Sequence, residues 1–198
     1  MRYNPSVSVR FVIIALLFAA GMYGADTWTW WVDDCAGTAI RSGCKAGDIQ
    51  LAQWAFEAWQ RESGDRIVFT KSPNPQHARL TVHWVSGVSV YGETRPATVD
   101  GQRGAEIYIL PEGSARPSAD PLLRDSIVYL TFVHETGHAM GLQHTADFAD
   151  IMYSFQYGGD IGAYFDRYRR LLRKRSDIAL HSGLSDGDRK ALRAVLAP

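Results

Sequence analysis

The stretch from Asp120 to His144 limits what this chain can fold into more than any other part of it. Pro121 suits the first position of a helix and Asp120, just before it, can cap the exposed amides. Leu123, Ile127, Leu130, His134 and His138 then recur at steps of four, three, four and four, which puts all five on one helical face. That face reads as the buried one. Gly141 ends the pattern, at a point where only glycine enters a left-handed conformation without strain. Any fold built on this helix must place two imidazoles in an apolar stripe, one turn apart.

A metal ion accounts for them. Residues 134–144, HETGHAMGLQH, read HExxHxxGxxH, so His134 and His138 can reach one ion and the turn at Gly141 lets His144 swing back as a third nitrogen ligand. Three protein ligands leave a fourth position for water, the arrangement of catalytic rather than structural zinc. Glu135, beside the first ligand, has the chemistry of a general base: it can take a proton from water and return it to a leaving amine.

Asp150-Ile151-Met152-Tyr153 follows a few residues later. Together HETGHAMGLQH and DIMY resemble the zinc helix and Met-turn of the metzincin peptidases, most closely matrixin-like forms of the short bacterial type. Weaker similarity extends to AEIYIL (105–110) ahead of the zinc helix and to Leu184-Ser185-Asp186-Gly187-Asp188, which looks like the start of the family's last helix. The resemblance implies an α+β fold: a twisted, mixed five-stranded sheet with an antiparallel edge strand above the cleft, a zinc-binding helix, and a C-terminal helix after the Met-turn. It implies one catalytic Zn2+ held by His134, His138 and His144, with Met152 packed beneath it and not bound to it. It also implies protein or peptide substrates lying extended along the edge strand near Val88 to Thr98, and a pocket shaped by Tyr153 to Tyr164. Matrixins usually carry a propeptide whose cysteine blocks the zinc. No such segment fits ahead of Trp28; Cys35 or Cys44 could take that part as a thiolate ligand, although neither lies in a matching motif.

The rest of the chain fits a single catalytic domain over residues 27–198. Of 198 residues 46% are hydrophobic, enough for one core and too many for a disordered chain. Twenty-one basic residues balance twenty-one acidic ones, which leaves no basic footprint for nucleic acid. Residues 1–21 read as a signal peptide: Arg2 and Arg10 precede the apolar run FVIIALLFAA (11–20), and small residues follow. The product is then secreted or extracytoplasmic, or tethered to a membrane where the segment is not cleaved. Cys35 and Cys44 are the only cysteines, and in an oxidising compartment they would close a small disulfide loop, two free thiols being the alternative.

Residues 27–32 (TWTWWV), 66–71 (RIVFTK), 78–86 (ARLTVHWVS) and 105–110 read as strands, and 88–98 as a weaker one joined to the last by a turn at Asp100-Gly101. Asp48 is expected to cap a helix to Glu62 whose core face carries Ile49, Ala52, Phe56 and Trp59. His77, His83 and His181 have no partner at ligand spacing and are left outside the site. Between Met152 and Leu184 the segment RYRRLLRKR (167–175) holds six basic residues, and Tyr164, Tyr168 and Leu171 or Leu172 at helical spacing suggest a basic amphipathic helix. It is either a solvated face or a contact for an anionic surface. The chain as a whole reads as a secreted zinc endopeptidase. The rival reading is a zinc-containing binding protein without turnover, against which Glu135 weighs, because binding needs the ligands but not the base.

Overall fold

The computed structural model describes residues 24–36, 42–87, 90–111 and 120–197. The signal segment expected at residues 1–21 lies outside them. Five strands form one sheet: β1 (Asp26–Val32), β2 (Ile67–Lys71), β3 (Leu80–Trp84), β4 (Gly92–Val99) and β5 (Gln102–Ile109), in the order β2-β1-β3-β5-β4. All neighbours are parallel except β4, which runs antiparallel to β5 on the edge. The hairpin joining β4 to β5 turns where the sequence places it, with positive φ at both Asp100 (50°) and Gly101 (76°), as a turn matched to the strand twist requires. The edge strand runs from Gly92 to Val99; Val88 and Ser89 of the expected run 88–98 lie outside the described residues.

Helix α1 (Asp48–Glu62) and helix α2 (Pro121–Met140) pack together against the sheet. The termini of α2 follow the local chemistry: the Asp120 carboxylate accepts from the amides of Leu122 and Leu123, and Gly141 takes φ 107°. Its buried face differs from the expected one. Val128, Tyr129, Phe132, Val133, Thr136 and Met140 are buried; of the expected face Leu130 is buried, whereas Leu123, Ile127, His134 and His138 are only half-buried, the two histidines bordering the cleft. Apolar residues encircle most of this helix, and periodicity alone cannot choose between two apolar faces.

Asp48 also departs from its expected role. Gly47 occupies the cap position, and Asp48 is a buried first-turn residue whose carboxylate accepts from the Lys45 amide (2.8 Å) and grips Arg124 of α2 with both oxygens. This ion pair fastens the start of α1 to α2. Cys35 and Cys44 form a disulfide, so neither thiol is free to ligate a metal.

After the Met-turn come a short 3-10 turn (Phe155–Tyr157), helix α3 (Ile161–Arg169), a second 3-10 segment (Arg175–Leu180) and helix α4 (Asp186–Val195). The expected basic helix through 167–175 is broken at Arg170. Arg169 turns to Asp120 (2.7 Å) and Arg175 to Asp125 (2.8 Å), both near the start of α2. Asp177 takes the amides of Arg173 and Lys174, which a continuing helix would have used. Tyr164, Tyr168 and Leu172 are buried at the predicted spacing, and Leu171 is exposed.

Packing is tight where α2 crosses the Met-turn. A methyl group on Gly137 would lie 2.5 Å from Met152 Sδ and 3.2 Å from Trp59. Gly137→Ala is therefore expected to cost about 1–3 kcal/mol despite alanine's better helix propensity, measured as a lowered midpoint of urea unfolding.

Candidate metal centre

His134 and His138 both point their Nε2 atoms into the cleft because their other nitrogens are committed to the backbone. His134 Nδ1 donates to the Ile151 carbonyl (2.6 Å) and His138 Nδ1 to the Leu142 carbonyl (2.9 Å). A neutral imidazole that donates from Nδ1 has a bare lone pair on Nε2. Burial favours that neutral form, holding the His134 pKa down at about 4 and lowering that of His138. The left-handed turn at Gly141 then returns the chain so that His144 Nε2 stands 3.2 Å from His134 Nε2 and 3.1 Å from His138 Nε2.

Two converging lone pairs at that separation repel unless a cation lies between them. A tetrahedral zinc with bonds of about 2.0–2.1 Å would set its ligand nitrogens roughly 3.3 Å apart, close to the spacing found here. The donor set therefore fits a single divalent ion. Among the described residues, His134, His138 and His144 form the group able to hold one. Met152 is fully buried and packs on Gly137, the residue before His138. His83 instead pairs with Asp33 (3.0 Å), and His77 lies beside Asp100 (3.3 Å), both away from the cluster.

Glu135 lies against the inner side of β4. The Thr94 hydroxyl reaches both the Glu135 carboxylate, at Oε2 (2.6 Å), and its carbonyl (2.9 Å). Burial pushes the carboxyl pKa up to about 7, the Thr94 hydrogen bond opposing the rise and the charge of Glu93 adding to it. Gly92 makes this approach possible, since a Cβ there would stand 2.8 Å from Glu135 Oε1 and 2.7 Å from a Thr131 methyl. Sequence reasoning missed both Gly92 and Thr94. Neither residue type signals its role, and only the pairing of β4 with β5 brings them over α2.

The cleft in front of the histidines is about 500 Å³, walled on one side by β4 and on the other by Tyr153, Phe155, Tyr164 and Phe165. The segment expected to shape the pocket does line it.

Asp188, buried at the start of α4, completes the support. Its carboxylate accepts from the amides of Ile151 (2.8 Å), Met152 (3.2 Å) and Ser185 (2.8 Å), so it clamps the turn whose carbonyl orients His134. The sequence signal was the Ser185-x-x-Asp188 capping pattern, which locates a helix start and says nothing about the clamp.

The sheet, the helix carrying two histidines, the glycine turn and the third histidine define a metzincin-like α+β fold around a three-histidine metal centre. The Matrixin family model matches residues 45–161, more than half of the chain and all of this centre, and the chain belongs to that family. Comparison with curated proteins gives no match. Family and site together support a zinc-dependent peptidase function.

Proposed function

We propose that this protein is a secreted endopeptidase that hydrolyses peptide bonds with one zinc ion held by His134, His138 and His144. Zinc in such a site supplies Lewis acidity, lowering the pKa of water toward about 7 and polarising a carbonyl. The chain's own residues do the rest. Glu135 takes the proton of the attacking water and passes it to the leaving amine. Thr94 engages Oε2, so Oε1 is the oxygen that carries the proton. Substrate lies along β4, which has no strand neighbour on the side away from β5 among the described residues, and adds to it by backbone hydrogen bonds. The observation that carries this reading is a buried carboxylate directly after a metal ligand, in a cleft with room for a peptide side chain.

Digestion of a peptide library by the zinc-loaded protein, read by mass spectrometry, tests the proposal. Internal cleavage that a chelator abolishes and added zinc restores is the expected result. Intact peptides under all conditions would leave a zinc-containing binding protein as the better reading. Export rests on the N-terminal sequence, and no helix among the described residues is long and apolar enough to cross a membrane.

A further inference from the structure

Exposed large hydrophobic side chains fall mainly in two places. Val90, Tyr157 and Ile161 lie at or near the catalytic cleft; Leu171 and Leu180, 54% and 78% exposed, sit instead on the rim of a separate open depression of about 580 Å³. Arg61, Arg167 and Arg189 line that depression against a single carboxylate, Glu62, which Arg189 already engages (2.8 Å). Immediately beside Leu171, the side chains of Arg170, Arg173 and Lys174 are exposed, and among the described residues none of them is held in an ion pair. Arg169 and Arg175, on either side of them, are by contrast ion-paired to Asp120 and Asp125. The nearby Asp177 is spent on the amides of Arg173 and Lys174.

The position of this face matters as much as its composition. The chain enters the domain at β1, where the Asp26 amide donates to the Arg66 carbonyl (2.9 Å) and the Arg66 side chain reaches Ser63 (3.2 Å) at the end of α1. From that same end of α1, Arg61 reaches Ala179 (3.2 Å), next to Leu180, and Glu62 accepts from Ser182 (3.2 Å). The entry point and the leucine rim are thus neighbours across one helix terminus. In the sequence, the apolar run 11–20 joins β1 through residues 21–25 alone. Where that run is retained as an anchor, the short linker holds this end of the domain close to the bilayer.

We infer that the face formed by Arg170, Leu171, Arg173, Lys174 and Leu180 binds the surface of an anionic phospholipid membrane. The leucines enter the headgroup boundary and the three cations pair with lipid phosphates, the combination that holds proteins at interfaces. None of these five residues lines the catalytic cleft, so the contact leaves its walls free for substrate.

Hydrogen exchange of the full chain, with phosphatidylcholine vesicles lacking or containing phosphatidylglycerol, tests this without reference to proteolysis. Amides in 170–181 should gain protection only with phosphatidylglycerol, and the gain should fade as salt rises. Combined R170E, R173E and K174E should weaken the phosphatidylglycerol-dependent part of vesicle partitioning by at least about tenfold. Leu171→Asn with Leu180→Asn, which leaves every charge in place, should also weaken it. Vesicle association with no change at 170–181 would overturn the inference. So would protection of 170–181 by soluble polyglutamate but not by vesicles, which would make the face a site for acidic peptides.

Discussion

Glu135→Gln should leave a protein that folds, holds one equivalent of zinc and cleaves peptides more slowly by a factor on the order of 10²–10⁴, the usual contribution of a positioned general base. Glutamine matches glutamate in size, so the tight space under Gly92 is preserved and its amide oxygen still accepts from Thr94. What it lacks is a basic oxygen. The loss should fall on kcat more than on KM, because the carboxylate acts on the proton in flight and not on the bound peptide. Glu135→Asp should recover only part of the rate, since one methylene less withdraws the carboxylate from water in a site where positioning dominates. Steady-state kinetics on one cleaved peptide, with zinc content measured on the same samples, checks this. Cleavage by Glu135→Gln at the wild-type rate would remove Glu135 from the mechanism.

Asp188→Ala should be the most damaging substitution outside the metal ligands. Three backbone amides would lose their acceptor at once, two of them in the Met-turn. Each buried donor left unpaired costs about 1–3 kcal/mol, so the Ile151 and Met152 amides alone make a total of roughly 2–6 kcal/mol, against about 5–15 kcal/mol for a whole domain. Urea unfolding measures it. The damage should also reach the metal, because Ile151 supplies both an amide to Asp188 and the carbonyl that orients His134. Zinc affinity should therefore fall in a protein whose three histidines are untouched. An unfolding midpoint within experimental error of wild type would show that the clamp is dispensable.

These predictions differ in how visible their residues were before the fold. Glu135 and the three histidines were legible because local helix geometry fixes their relation, and the ends of α2 were legible because Asp120, Pro121 and Gly141 act on adjacent backbone. The Asp100-Gly101 turn belongs to the same class. What the sequence hid were relations across distance. Asp48 has the composition of a cap, yet its role is set by Arg124, seventy-six residues away. The basic segment looked like one helix until Asp120, Asp125 and Asp177 drew parts of it in different directions. For α2 the difficulty was an excess of signal, with apolar residues on nearly every side, so the stripe carrying the histidines could not be told apart from the face that meets α1.

The site as a whole stands on three imidazoles sharing one ion, and metal analysis of the extensively dialysed protein addresses that directly. Wild type should retain one zinc per chain, and His144→Ala, whose side chain is exposed and whose removal leaves the α2 pair in place, should retain far less while staying folded. Retention of a full equivalent by His144→Ala, or of none by wild type, would contradict the account.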